Sequence, residues 1–374
     1  MRAPRFALVA LLSLGQFGHG ARQLPVLRHA DHRRVSPDLF RELEELSRIV
    51  DISYCVGSTS WGISKPFTCL SRCSDFPDFE LVTTWNTGVL LSDSCGYIAL
   101  DHGKRRIVVA FRGTYSIANT VADLSTVPQQ YVPYPGEDGG DHPATHAPQE
   151  EQCTDCTVHM GFHSSWLNTR KQIFPQLQAQ LFVHPDYQLT LVGHSLGGAV
   201  AALAGLDLLA RGYQPVLTTF GEPRAGNKRL VEYLDDRFGL GNRAPIDDTK
   251  LRYRRVTHVD DPVPLLPLTA WGYAMHAGEI YISKSELSPD IADLHHCNGD
   301  NDNECIAGQD SSLLASVEGE IHEASTEPWG IPSRYKLWQL FFAHRDYFWR
   351  LGLCVPGGDP LGGGGKYGAT HNDL

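Results

Sequence analysis

The chain has no excess of basic side chains, since 32 Lys and Arg stand against 43 Asp and Glu, a net charge of −11 over 374 residues. Because contacts with phosphate need a basic face, we expect no nucleic acid partner. The apolar run near the N-terminus, Phe6 to Leu14, has nine residues, whereas a membrane-spanning helix needs roughly 20. We therefore expect no transmembrane segment. No Asn-x-Ser or Asn-x-Thr sequence occurs, so no N-glycan is expected at the usual acceptor.

Two metal-binding patterns are incomplete. Cys153 and Cys156 have no second Cys-x-x-Cys pair near them, as a zinc site would need. Residues 300–311 begin like a calcium loop, but Cys305 stands where that loop requires Gly and Ser311 where it requires Glu. We interpret this stretch as an acidic loop around a disulfide and expect no metal and no cofactor.

The N-terminus indicates export. Residues 1–20 have the layout of a secretory signal peptide, with two arginines, an apolar run and then small residues. Residues 21–34 end in two arginines, which indicates a pro-segment cut after Arg34; a polar linker is the alternative. One domain is expected over 35–354. Residues 355–374 contain seven Gly and predict a disordered tail.

The nine cysteines are free to form disulfides in an exported protein. Spacing does not fix their connectivity, although three pairs are close in sequence: Cys69/Cys73, Cys153/Cys156 and Cys297/Cys305. Cys55 and Cys354 bracket everything between them, and a bond there would tie both ends of the domain together. Cys95 is then left over, and we interpret it as a buried free thiol.

Apolar patterning predicts an α/β fold. A helix is expected from Pro37, with Ser36 as its N-cap. The β-branched runs 107–111 and 189–192 are typical of strands buried on both faces, and the second is followed by a helical apolar stretch over 199–210. Residues 128–152 are acidic and rich in Pro and Gly, which predicts a mobile surface loop.

The strongest motif is Gly-His-Ser-Leu-Gly-Gly over residues 193–198. It places Ser195 in a G-x-S-x-G sequence between a strand and a helix, the context of a nucleophile elbow. The alternative is a structural turn. In such an elbow the N–H of the following residue, Leu196, is one donor to the oxyanion.

A serine nucleophile needs a histidine base and a carboxylate, which follow in the order Ser, Asp or Glu, His. The loop after the predicted strand 253–259 offers both Asp260 and Asp261. The downstream histidines are His258, His276, His295, His296, His322, His344 and His371. Sequence logic alone separates neither the two aspartates nor the seven histidines.

The choice among these aspartates and histidines comes from a family resemblance, which rests on motifs across residues 35–354. They are Phe111-Arg-Gly-Thr114, Gly161-Phe-His-Ser-Ser-Trp166, Gly193-His-Ser-Leu-Gly-Gly198, Gly221-Glu-Pro-Arg-Ala-Gly-Asn227, Asp261-Pro-Val-Pro264, His276-Ala-Gly-Glu279 and His344-x-x-Tyr347-Phe348, with Gly352-Leu-Cys354 at the end. In this combination the chain resembles the secreted class 3 lipases of filamentous fungi. The resemblance implies an α/β-hydrolase fold: a mostly parallel central sheet flanked by helices, with a lid helix over the active site.

The resemblance also assigns residues. It implies Asp261 as the orienting acid, His344 as the base and Thr114 as the second oxyanion donor, and it gives His276 a structural role near the substrate groove. We expect the side chain of His194 to be packed rather than catalytic. The implied disulfides are Cys55–Cys354, Cys69–Cys73, Cys153–Cys156 and Cys297–Cys305, with Cys95 free.

A lid is implied directly after the oxyanion turn. Apolar residues recur there at i, i+4, i+7 and i+10, on one face of a short helix: Ile117, Val121, Leu124 and Val127. Ordinary packing is the alternative to a lid whose apolar face covers the serine and opens onto lipid. Asp123 is expected to hydrogen-bond Thr114 in the open state. Thr120 occupies a position where several relatives carry Trp.

The sequence as a whole predicts a secreted, monomeric serine ester hydrolase. The resemblance implies a triacylglycerol lipase that acts through an acyl-enzyme at a lipid–water interface. One alternative is a feruloyl-type esterase on soluble plant cell-wall esters, and another is a phospholipase or galactolipase. A non-catalytic lipid-binding protein is a further alternative from a different class.

Overall fold

The computed structural model describes residues 33–57, 62–88, 94–114, 124, 131–133, 153–241, 248–309 and 343–354. Several predictions lie outside these residues: the signal peptide, the pro-segment up to residue 32, the loop 128–152 apart from 131–133, and the tail 355–374. Within the part of the chain that is described, no helix is both long and apolar enough to cross a membrane.

The described residues form four α-helices: α1 (Pro37–Ile52), α2 (Met160–Val183), α3 (Leu196–Ala210) and α4 (Lys228–Phe238). They also form twelve strands: β1 (Phe79–Asn86), β2 (Cys95–Asp101), β3 (Arg106–Arg112), β4 (Tyr131–Pro133), β5 (Thr157–His159), β6 (Gln188–His194), β7 (Val216–Phe220), β8 (Gly226–Asn227), β9 (Tyr253–His258), β10 (Tyr273–Ala274), β11 (Glu279–Ile282) and β12 (Leu294–His296). Short 3₁₀ helices lie at Ser53–Cys55, Arg72–Asp75, Asp248–Lys250, Val263–Leu265, Thr269–Trp271, Ile291–Asp293 and Ile306–Gln309.

Eight strands make the central sheet, in the order β1-β2-β3-β6-β7-β9-β11-β12. The five strands from β3 to β11 in that order run parallel, whereas β1 and β2 at one edge and β12 at the other pair antiparallel. A small antiparallel sheet, β10-β8-β5-β4, lies apart from it. The predicted α/β class with a mostly parallel sheet is confirmed.

Successive strand residues point to opposite sides of the sheet, so an all-apolar strand makes both faces apolar, and helices cover both. On β3, Ile107, Val109 and Phe111 join the apolar cluster that includes α2, α3 and α4, while Val108 and Ala110 join the cluster that includes α1. Every residue of α3 except its last is buried, as expected of a helix that is apolar all round.

The first helix begins where the sequence predicts. Its N-cap is Ser36, whose hydroxyl accepts from the N–H of Leu39 at 3.2 Å, and Pro37 occupies the first helical position, where no N–H is needed. At the other end, the buried carboxylate of Asp51 accepts from the N–H of Gly352 and, at 3.1 Å, from that of Leu353. These bonds hold the end of α1 against the C-terminal segment.

Four disulfides are present: Cys55–Cys354, Cys69–Cys73, Cys153–Cys156 and Cys297–Cys305. They are the pairs that the family resemblance implies. The first joins residues 299 positions apart, next to the Asp51 contacts. Cys95 is buried and carries no disulfide.

Candidate active site

Ser195 lies at the tight turn between β6 and α3. Its backbone has φ 58° and ψ −134°, a strained conformation for a residue with a side chain. The turn closes tightly, because a Cβ on Gly193 would lie only 2.4 Å from the carbonyl oxygen of Gly197. Ser195 is also the N-cap residue of α3, whose dipole favours negative charge at this end.

Asp261 and His344 form a buried pair. His344 Nδ1 lies 2.9 Å from both carboxylate oxygens of Asp261, and both side chains are fully buried. The carboxylate also accepts from the backbone N–H of Val263 at 2.9 Å and from the hydroxyl of Tyr347 at 2.5 Å. Since the acid only accepts, Nδ1 of His344 carries the proton and Nε2 is left with its lone pair.

The serine and this pair meet at the end of β7. The N–H of Ser195 donates to the carbonyl of Phe220 at 2.9 Å. At the next residue, a Cβ on Gly221 would lie 2.8 Å from Cε1 of His344 and 2.8 Å from Oδ2 of Asp261. Oγ of Ser195 and Nε2 of His344 are buried, and neither has a hydrogen-bond partner among the described residues.

The turn after β3 lies against the serine from the other side. A Cβ on Gly113 would come within 2.7 Å of Cβ of Ser195, so only glycine fits between the end of β3 and the elbow. Thr114 follows directly and is half-buried. Leu196, whose N–H was predicted to face the oxyanion, is the first residue of α3 and is buried.

A chain of hydrogen bonds links these parts beneath the site. The N–H of Gly113 donates to the hydroxyl of Tyr54, which donates in turn to Nδ1 of His194 at 2.5 Å. Nε2–H of His194 donates to the carbonyl of His344 at 2.7 Å. Because that carbonyl only accepts, one tautomer of His194 is fixed. Burial holds the pKa of His194 well below its usual value, which keeps the ring neutral.

Sequence reasoning anticipated that His194 packs but missed Tyr54. Tyr54 stands 140 residues before His194, and no motif surrounds it. Tyr347 belongs to a motif that assigns it no role, and in the structure its hydroxyl donates to Asp261.

The other predicted residues lie as follows. Asp260, the alternative to Asp261, is exposed, whereas Asp261 is buried. His276 contacts Glu222 at 3.3 Å in a buried polar cluster, where Glu222 also accepts from Thr219 and Tyr253 at 2.6 Å. Of the predicted lid residues only Leu124 is described; it is fully buried in the cluster that contains α3. Ile117, Thr120, Val121 and Asp123 lie outside the described residues.

The fold and the loops gathered at the carboxyl ends of β3, β6, β7 and β9 are those of an α/β-hydrolase. The family described as lipase (class 3) matches residues 108–271. Secreted mono- and diacylglycerol lipase 2 of Gibberella zeae is 54% identical over 89% of this chain and 86% of its own length. Lipase A of Sodiomyces alcalophilus is 48% identical over 96% and 92%.

Solved structures agree. The Lip2 lipase from Yarrowia lipolytica has a TM-score of 0.70 and 30% identity, with 86% of this chain and 96% of that chain covered. The chain therefore belongs to the class 3 lipase family and is a secreted carboxylic ester hydrolase. The predictions of family, enzyme class and extracellular location are confirmed.

Proposed function

We propose that the protein hydrolyses acylglycerol esters through an acyl-enzyme, with Ser195 as nucleophile, His344 as base and Asp261 as orienting acid. The observation that carries the proposal is the buried His344–Asp261 pair beside a serine in a strained elbow. Nε2 of His344 takes the proton of Ser195 as Oγ attacks the ester carbonyl, and then gives it to the departing alcohol. Water repeats the sequence and releases the fatty acid.

The tetrahedral intermediate carries its negative charge on the former carbonyl oxygen. The N–H groups of Thr114 and Leu196, together with the Thr114 hydroxyl, are the proposed donors to it. Two features support this pair: the close approach of Gly113 to Ser195 and the position of Leu196 at the start of α3. Losing one such donor typically costs about 100- to 1,000-fold in kcat.

Mono- and diacylglycerols are the substrates we propose first. Support comes from the relative that is 54% identical, which is named a mono- and diacylglycerol lipase. The sequence-based prediction of a triacylglycerol lipase remains the competing proposal. The two differ in the third acyl chain, which the site must accommodate for triacylglycerols only.

The test compares initial rates on mono-, di- and tributyrylglycerol, each followed through its solubility limit. We expect Ser195→Ala to lose at least about 10⁴-fold in rate, while Ser283→Ala, an exposed serine far along the chain, retains wild-type rates. Preference for the partial glycerides supports the first proposal, and preference for tributyrylglycerol supports its competitor. A rate jump at the solubility limit would indicate that an interface opens a lid.

Two outcomes would contradict the proposal. Faster turnover of soluble feruloyl esters or of phospholipids than of any acylglycerol would favour the corresponding esterase or phospholipase. If a fluorophosphonate probe fails to label Ser195 in folded protein, the lipid-binding alternative replaces the enzymatic one.

A further inference from the structure

Arg33, the first residue of the predicted dibasic cleavage pair, is bound to the body of the domain. Its Nε donates to the carbonyl of His296 at 2.8 Å. Its terminal nitrogens pair with Asp302 at 2.5 Å and with Glu304, and one lies 3.3 Å from Sγ of Cys305. The side chains of Arg33 and Asp302 are only 15% and 9% exposed. We name these four partners of the guanidinium the Arg33 pocket.

The residues after Arg33 are fixed as well. Arg34 forms an antiparallel bridge with His295, and Val35 is 3% exposed within the core. The N–H of Ser36 donates to the carboxylate of Asp248 at 2.8 Å. The same carboxylate pairs with Nε2 of His296 at 2.6 Å. The bond between Arg34 and Val35 therefore has anchors on both sides.

Contacts within the loop preorganise the Arg33 pocket for a guanidinium. Besides Arg33, the carboxylate of Asp302 accepts from the N–H of Asn298 at 2.7 Å and from that of Glu304 at 3.0 Å, which fixes its direction. The Cys297–Cys305 disulfide closes the loop. Carboxylates fixed in this way bind the planar, five-donor guanidinium of arginine better than the ammonium of lysine.

We propose that this pocket controls proteolytic removal of the pro-segment by sequestering the residue that the protease must recognise. A protease specific for dibasic pairs reads both arginines before the bond it cuts and binds the surrounding chain in extended form. It reaches neither the Arg33 guanidinium nor the backbone of Val35 until the segment 33–36 leaves the pocket. The inference is independent of the catalytic assignment and requires only that the cleavage site lie after Arg34.

The test uses the secreted chain from residue 21 and a dibasic-specific protease, with loss of residues 21–34 followed by intact mass. We expect Asp302→Asn to be cut about tenfold faster, because a partly buried, charged hydrogen bond to Arg33 is lost. Glu304→Gln should change the rate by about twofold, since Glu304 is 79% exposed and exposed pairs contribute little. The matched control is Asp300→Asn, which removes the same charge from the same loop without a contact to Arg33 and should leave the rate unchanged.

The cleavage rates of these variants support or overturn the proposal. Equal rates for Asp302→Asn and wild type overturn the proposal, as does equal acceleration by Asp300→Asn, which would reveal a general charge effect. A measurement without variants guards against misfolding: a synthetic peptide of residues 27–40 should be cut at least about 100-fold faster than the same bond in the native protein. Equal rates in peptide and protein would likewise overturn the proposal.

Discussion

Removing the hydroxyl of Tyr54 tests whether the hydrogen-bond chain beneath the site positions the groups above it. In Tyr54→Phe, the Gly113 N–H loses its acceptor and Nδ1 of His194 loses its donor. Both groups are buried. The carbonyl of His344 keeps its hydrogen bond from Nε2 of His194, but no hydrogen bond from Tyr54 then fixes the other nitrogen of that ring.

The expected loss of stability and of kcat follows from these two groups, which are left without a hydrogen-bond partner. Each buried unpaired group costs about 1–3 kcal/mol, so the free energy of unfolding should fall by about 2–6 kcal/mol, toward the lower value where the surroundings relax. Relaxation moves the Gly113 turn, and with it the proposed donor Thr114. Because removal of an oxyanion donor costs about 100- to 1,000-fold, displacement of one should lower kcat by about tenfold, with little change in KM.

The assay measures kcat and KM on a soluble monomeric ester, p-nitrophenyl butyrate, together with the unfolding midpoint in urea. The matched control is Tyr97→Phe, because the hydroxyl of Tyr97 is equally buried and donates to the carbonyl of Ile49 in α1 at 2.8 Å, away from Ser195. Both variants should lose stability, but only Tyr54→Phe should lose kcat. Equal kcat in the two variants would refute a positioning role for Tyr54.

Three further predictions concern the same region and the acid side of stability. Tyr347→Phe removes one donor to Asp261 and should lower kcat/KM about 3- to 10-fold. A hydrogen bond to a charged group contributes about 1.5–3 kcal/mol, but part of that energy stabilises the ground state as well as the transition state. Unchanged kcat/KM would contradict this prediction. Gly113→Ala places a methyl 2.7 Å from both Cβ of Ser195 and the Tyr54 hydroxyl, so ester hydrolysis should fall at least about 100-fold; activity near wild type would show that the turn tolerates it. Burial lowers the pKa of His159 from 6.5 to about 4. Between these two pH values the unfolded chain binds more protons than the folded one, so the free energy of unfolding falls by about 3 kcal/mol as the pH drops from 6.5 to 4. His159→Asn keeps the acceptor for the N–H groups at the start of α2 and should flatten this dependence, checked by urea unfolding at pH 4.5 and 7.5; an unaltered pH dependence would assign it to other groups.

The elements that carry the site were predictable because their patterns are local. The apolar runs of β3 and β6, the cap at Ser36 and the glycines around Ser195 each specify a backbone conformation within a few residues. β3 and β6 extend the predicted runs by one or two residues at each end, and α3 begins directly after Ser195, three residues earlier than its apolar run suggested.

What sequence reasoning missed depends on partners distant along the chain. Tyr54 reaches His194 across 140 positions and Arg33 reaches Asp302 across 269. The sequence predicts an acidic loop around a disulfide near Asp302, and the Cys297–Cys305 bond confirms it. The residue that pairs with Asp302, however, is Arg33 at the other end of the chain. No spacing rule connects a dibasic pair to a carboxylate that far away.

The choice among histidines shows what tertiary contacts add to the order of a motif. Of the buried histidines near Ser195, His194 has both ring nitrogens engaged, by Tyr54 and by the carbonyl of His344. His258 bonds the backbone of Lys284, and burial lowers its pKa despite three nearby aspartates. His344 alone among these three combines one nitrogen on a carboxylate with a second that is buried and has no partner among the described residues. A base needs both properties, because the carboxylate stabilises the imidazolium and the second nitrogen must be open to the serine proton. This pattern supports His344 over its neighbours on chemical grounds that are independent of the family resemblance.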